Sequence, residues 1–177
     1  MPEPASQEHP FARDVRSLIA GRLDKSRMVE ICSTPTALSV AGLKALPLFV
    51  RPSVLEKVII HKHGLSPESV GRLPDELRNP VAIFKSDTRP HDSVVVVVDL
   101  WLENHPVVVA IAIGQAVART TANVVTSVYS KQHHAAFEKW LKDGLLLWSD
   151  KKRMPAWLQS IGVQFPKEET TQAENTV

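Results

Sequence analysis

The amino-acid sequence predicts an α+β fold in which N-terminal helices pack on a mainly antiparallel sheet of four to five strands. Apolar residues recur at helical spacing through the first half of the chain. From residue 81 onward the pattern changes to β-branched runs separated by short polar turns. Consecutive strands with short links form an antiparallel meander, and helices followed by strands are typical of the α+β class.

The bulk composition bounds the size and the setting of the protein. Its 177 residues are enough for one domain with a hydrophobic core and few for two. A formal charge of +2 allows an anionic partner without demanding one. The single cysteine, Cys32, excludes a disulfide framework and is typical of a reducing compartment. No apolar run could span a bilayer and the N-terminus lacks a signal-peptide core, so we expect a cytoplasmic protein without membrane contact.

The first half of the chain predicts mostly helices. Residues 1–10 are expected to form a disordered arm, and residues 11–23 an amphipathic helix ahead of the main domain. A strand over 28–33, a short helix over 36–43 and a strand over 46–50 follow. Pro52 is placed to open a helix that Gly64 ends, and Ser66 begins another that stops before Pro80.

The second half predicts the sheet and two more helices. Strands are expected over 81–85, 93–102, 107–113 and 123–131, with a further short strand over 145–148. Helices are expected over 135–142 and 152–161. The predicted organisation is an arm with an extra helix (1–27), a main domain (28–166) and a disordered polar tail (167–177).

One predicted strand, 123–131, combines an apolar face with a polar one. Alternate residues of a strand share a face, so one face is expected to present hydrogen-bonding groups and a cation. Its polar members are Asn123, Ser127, Tyr129 and Lys131. Such a row could hold a phosphate, because hydroxyl and amide groups orient it and the lysine neutralises its charge. The alternative is a solvated outer face.

A basic cluster at the end of the predicted helix 52–63 supplies groups that could transfer a proton. Lys57 and His61 share a helix face, and His63 precedes the terminating glycine. Histidine accepts and donates protons near neutral pH. A metal site at His61 and His63 is disfavoured, because their spacing splays the rings apart. The alternative is that these residues only complement the helix dipole.

Two further polar groups have ordinary structural explanations. The run that begins at Asp150 and contains Lys151 is either a solvated charge cluster or a helix start. Ser86 is placed for capping or for a turn. Glycine-rich phosphate loops, HExxH and GxSxG motifs are missing, so any chemistry on phosphates would have to use histidine, lysine and hydroxyl groups without a bound metal or another cofactor.

An ordered set of residues resembles the MuF C-terminal domain family, a phage-associated branch of the barnase–EndoU–colicin–RelE-like nucleases. The resemblance covers residues 28–166, and the extra helix 11–23 is not part of the family pattern. The residues that carry it are Thr34-Pro35, Leu46-Pro47-Leu48, Lys57, Lys62-His63-Gly64-Leu65, Leu73-Pro74, Glu76-Leu77, Pro80, Ser86, Asn123, Ser127, Tyr129, Lys131, Leu146–Trp148 and Asp150-Lys151-Lys152.

The resemblance implies a cytoplasmic ribonuclease toxin or effector of phage or mobile-element origin, acting in a bacterium or in a cell into which it is delivered. Members of that fold cleave RNA through the 2′-hydroxyl, without metal, and leave a 2′,3′-cyclic phosphate. His63 would then be the general acid or base, and Lys57 and Lys131 would stabilise the developing charge. Ser127 and Tyr129 would bind oxygens of the phosphate. Asn123, Ser86 and Lys151 would position the substrate.

That scheme requires His63 to lie close to Tyr129. An alternative from another class is a catalytically inactive nuclease-fold protein that acts as an inhibitor or docking module. Its protein partner, or an immunity protein, would bind the helix 11–23. A third possibility is nucleic-acid binding without cleavage, which would be strongly salt-dependent. The sequence does not predict the oligomeric state.

Overall fold

A computed structural model describes residues 7–164, and these form a three-layer α+β structure around a seven-stranded sheet. The strands are β1 (Val29–Ser33), β2 (Pro47–Val50), β3 (Ala82–Lys85), β4 (Ser93–Leu102), β5 (His105–Val117), β6 (Thr120–Ser130) and β7 (Leu146–Ser149). The helices are α1 (Pro10–Ile19), α2 (Thr36–Val40), α3 (Pro52–Glu56), a π-helical segment (Lys57–His61), α4 (Pro67–Gly71), α5 (Leu73–Arg78), α6 (Ala135–Lys142) and α7 (Met154–Ser160).

The strand order is β1-β2-β6-β5-β4-β3-β7, which confirms the predicted meander from β3 to β6. All neighbouring strands are antiparallel except β2 and β6, which run parallel. The α+β class is confirmed, whereas the prediction of four to five strands is wrong. The short strands β1, β2 and β7 join the same sheet and extend it at both edges.

The sheet is covered on both faces. One core lies between the sheet and helices α1 to α5, and a second lies beneath α6 and α7. The valine run of β4 is buried on both sides, which explains why Val94–Val98 shows no polar alternation. In the second core the ring of Phe137 packs edge-on against Trp157 and Trp140, with centroid distances of 5.0 and 5.3 Å.

Helix α1 belongs to the first core. His9 caps it by accepting a hydrogen bond from the Phe11 amide, so the helix begins at Pro10, inside the predicted arm. The side chains of Phe11, Val15 and Leu18 are buried by the rest of the chain. The apolar stripe that suggested a partner-docking helix is therefore covered by the chain's own core.

The predicted disorder of the first residues and of the tail 167–177 lies outside the described residues, except for positions 7–10. Within residues 7–164, no helix combines the length and apolar character needed to cross a bilayer. Cys32 is half-buried beside the first core, and burial raises the pKa of its thiol to about 11. The thiol therefore stays protonated near neutral pH, as expected of a packing residue rather than a nucleophile.

Candidate active site

A small cavity lies where β6 extends beyond its neighbour β2. Strand β2 pairs with β6 only from Asn123 to Val125, and the chain then leaves the sheet at Arg51 and enters α3. No other strand of residues 7–164 pairs with this side of β6 beyond Val125. Helix α3 and the π-helical segment lie beside this part of β6 instead of a strand. The cavity between them is about 110 Å³, and its lining consists of Ser53, Val54, Lys57, Val58, His63, Thr126, Ser127 and Val128.

A π-helical segment sets the position of His63. The carbonyl of Lys57 accepts hydrogen bonds from the amides of Lys62 at 2.8 Å and His63 at 3.3 Å, which widens the last turn. The segment ends at His61, and Gly64, three residues later, has φ +66°, a left-handed conformation that favours glycine. Wide π-helical turns recur at functional sites because they redirect side chains, and here the turn aims the imidazole at β6.

His63 lies beside Tyr129, with 6.4 Å between the ring centroids. The proximity of these two residues is the one that the scheme requires. Burial lowers the pKa of His63, and the positive charges of Lys62 and Lys57 lower it further. The imidazole is therefore neutral near neutral pH and can accept a proton.

Tyr129 extends the row of polar groups from His63 to Lys131. Burial raises the pKa of its phenol, and the negative charge of Asp87 adds to the effect, so the hydroxyl keeps its proton as a hydrogen-bond donor. The ammonium of Lys131 lies 5.9 Å from the centroid of the Tyr129 ring and 5.0 Å from that of Trp140. Cation–π attraction holds the lysine at this end of the strand.

The five residues predicted to be catalytic therefore gather at one edge of the sheet. Lys57, His63 and Ser127 line one cavity, the ring of Tyr129 lies beside that of His63, and the ammonium of Lys131 lies near the Tyr129 ring. The arrangement offers a neutral imidazole, a protonated phenol, a hydroxyl and two cations. Such a set can bind a phosphate, accept one proton and donate another.

The prediction that Asn123 shares a face with Ser127 is wrong, because β6 contains a bulge. Ser127 pairs with Ala110, whereas Val125 pairs with Ile111, so Thr126 is an extra residue and the alternation of faces shifts. Asn123 is fully buried. Its amide nitrogen donates to the Thr34 hydroxyl and the Lys44 carbonyl, and its oxygen accepts from the Gly114 amide.

Ser86 and Lys151 also lie apart from the cavity. The hydroxyl of Ser86 is buried and accepts a hydrogen bond from the Arg89 amide at 3.1 Å, which fixes the turn after β3. Lys151 is exposed in the turn after β7. Strand β7 is four positions from β6 in the sheet, a separation of about 19 Å. The hydrogen bond of Ser86 fits a turn residue, and the exposure of Lys151 fits a solvated charge, which are their ordinary structural explanations.

Two polar lining residues, Ser53 and Thr126, were not among the predicted site residues. Ser53 lies in the predicted helix that Pro52 opens, and Thr126 lies in the predicted strand 123–131 outside its predicted row of polar groups. A bulge has no sequence signature here, so nothing in the pattern pointed to Thr126. Among residues 7–164, no group of three or more His, Cys, Asp or Glu side chains is placed to hold a metal ion.

Comparison with known families gives one match. The model of the family described as Phage MuF-C-terminal domain matches residues 55–156, more than half of the chain. The matched segment runs from the end of α3 into the first turn of α7 and contains β3 to β7 together with His63, Ser127, Tyr129 and Lys131. No curated protein and no solved structure matches the chain significantly.

Proposed function

Because the chain belongs to the phage MuF C-terminal domain family, we propose that it is a metal-independent endoribonuclease, a toxin or effector of phage or mobile-element origin. The observation that carries the proposal is the meeting of Lys57, His63 and Ser127 in one cavity with Tyr129 beside it. We also propose that the helices followed by the meander β3–β6 correspond to the barnase–EndoU–colicin–RelE-like arrangement.

The proposed reaction is in-line attack of a 2′-hydroxyl on the adjacent phosphate. The bond from O2′ to phosphorus forms, and the bond from phosphorus to O5′ breaks. The neutral imidazole of His63 accepts the 2′-hydroxyl proton, and the phenol of Tyr129 donates a proton to the leaving 5′-oxygen. Lys57, Ser127 and Lys131 stabilise the charge on the non-bridging oxygens. The products are a 2′,3′-cyclic phosphate and a free 5′-hydroxyl.

The test is cleavage of an end-labelled oligoribonucleotide by purified protein in excess EDTA. We expect cleavage to persist and to leave cyclic phosphate ends. The matched control is the same oligonucleotide with 2′-O-methyl groups throughout, which should stay intact because the nucleophile is blocked. RNA that stays intact at high protein concentration would contradict the proposal. Such a result would favour the non-catalytic alternative, an inhibitor or docking module.

The pH profile tests the two proton-transfer roles. Since His63 acts unprotonated and its pKa is lowered, kcat/KM should rise through an acidic limb that lies below pH 6.5. Since Tyr129 acts protonated and its pKa is raised, the rate should fall only above pH 10. The measurement is kcat/KM across this range for wild type and Tyr129→Phe, which should lose the alkaline limb. An acidic limb above pH 6.5 would contradict the role of His63 as the base.

A further inference from the structure

A second, larger cavity adjoins the first, at the part of β5 and β6 that the helices leave accessible to solvent. Its volume is about 500 Å³, within the range of roughly 300–1,000 Å³ that is usual for ligand sites. The two cavities share Ser53 and Thr126 as a common wall. The walls of this second cavity, here named the basic groove, come from residues 25–28, α3, the turn after β3, and strands β5 and β6.

The basic groove is electropositive. Four cationic side chains line it, and Glu56 is the one acidic residue among its described lining residues. The cationic residues are Lys25, Arg27, Arg51 and Arg89. Lys25 pairs with Glu56 within the groove, whereas Arg27 and Arg89 pair with exposed aspartates outside its lining. Exposed pairs of this kind exchange partners at little cost.

Arg51 differs from the other three cations. It is exposed, and among residues 7–164 it has no carboxylate partner and no side-chain hydrogen bond. It stands at the point where the chain leaves β2, two residues before the shared wall residue Ser53. An unpaired guanidinium next to a phosphate-binding cavity is suited to bidentate contact with a second phosphate.

We propose that the basic groove holds the RNA strand on one side of the scissile phosphate and that Arg51 binds the neighbouring backbone phosphate. This inference rests on the proposed ribonuclease function. The sheet floor of the groove is formed mainly by small aliphatic side chains such as Ala112 and Val124, with Gln115 and Thr126 as its polar members, and no aromatic residue is among its described lining residues. Bases therefore find no stacking platform there, so binding depends on phosphates and is tolerant of sequence.

The experiment compares Arg51→Gln with wild type and with Arg13→Gln, a control at an exposed position on α1. Binding is measured by fluorescence anisotropy with a 2′-O-methyl oligoribonucleotide, which cannot be cleaved. For Arg51→Gln we expect affinity to fall on the order of tenfold. The plot of log affinity against log salt concentration should become shallower, with the magnitude of its negative slope smaller by about 1. Arg13→Gln should behave as wild type.

Cleavage kinetics distinguish RNA binding in the basic groove from the chemical step in the smaller cavity. Arg51→Gln should raise KM for an oligoribonucleotide and leave kcat unchanged, and both constants should be unchanged for a dinucleotide with a single phosphate. If Arg51→Gln binds RNA with the same affinity and the same KM as wild type, the inference about the groove is wrong. The ribonuclease proposal is unaffected by that outcome. A third outcome is that Arg51→Gln weakens binding but wild type does not cleave RNA. That outcome would support the groove as an RNA site and contradict the ribonuclease proposal. Failure of wild type to bind the oligonucleotide would overturn the inference.

Discussion

Replacing His63 with alanine should lower kcat for RNA cleavage by about 10²- to 10⁴-fold, the usual effect of removing a general acid or base. In the proposed mechanism His63 accepts the 2′-hydroxyl proton, and its side chain lines the same cavity as Lys57 and Ser127. Its side chain is half-buried at a helix end and makes no side-chain hydrogen bond among residues 7–164, so its removal should change stability little. The measurements are initial rates on a labelled oligoribonucleotide and the thermal unfolding midpoint of the same preparation.

The matched control is His61→Ala, two residues earlier. His61 is exposed, is the last residue of the π-helical segment and does not line the cavity, so His61→Ala should cleave RNA as wild type does. Added imidazole should restore part of the activity of His63→Ala, because a free base can enter a cavity open to solvent. A rate for His63→Ala close to that of wild type would contradict the mechanism. Equal losses in both variants would indicate damage to the helix end rather than to a base.

The order of elements was predictable because periodicity is a local signal. Runs such as 93–102 and 107–113 identify themselves as strands, and their short connections dictate which strands pair. The segments that became β1, β2 and β7 were also predicted to be extended. Their membership of the same sheet was not, because β2 pairs with β6 across more than seventy residues and β7 returns to β3. Periodicity identifies a strand and carries no information about a distant partner.

The candidate site was predictable in its residue types and only partly in its geometry. Histidine, lysine and hydroxyl groups were recognisable from the sequence as groups that are able to bind a phosphate. The approach of His63 to Tyr129 depends on where β2 stops beside β6, which no local pattern encodes. Asn123 was assigned to the wrong face because strict alternation was assumed, and one bulged residue, Thr126, reverses every face beyond it.

Asn123→Ala should lower the free energy of unfolding by about 2–4 kcal/mol, because buried hydrogen-bonding groups would lose their partner. The Asn123 amide joins the Thr34 hydroxyl, the Lys44 carbonyl and the Gly114 amide, which lie before α2, before β2 and within β5. It therefore ties β6 to three separate parts of the chain. The measurement is urea unfolding, with Thr121→Ala as the control on an exposed position of the same strand, where a change within about 0.5 kcal/mol is expected.

Kinetics on the same two variants decide between the structural role of Asn123 and the substrate contact that the sequence suggested. At a temperature where Asn123→Ala remains folded, a structural role leaves kcat and KM for RNA near their wild-type values. A substrate contact would instead raise KM and leave the urea midpoint unchanged. Because the side chain is fully buried and all three of its hydrogen bonds are made within the protein, we expect loss of stability with unchanged kinetics. If Asn123→Ala instead has a raised KM and the stability of wild type, Asn123 contacts the substrate. That outcome would contradict the bulge-shifted register of β6.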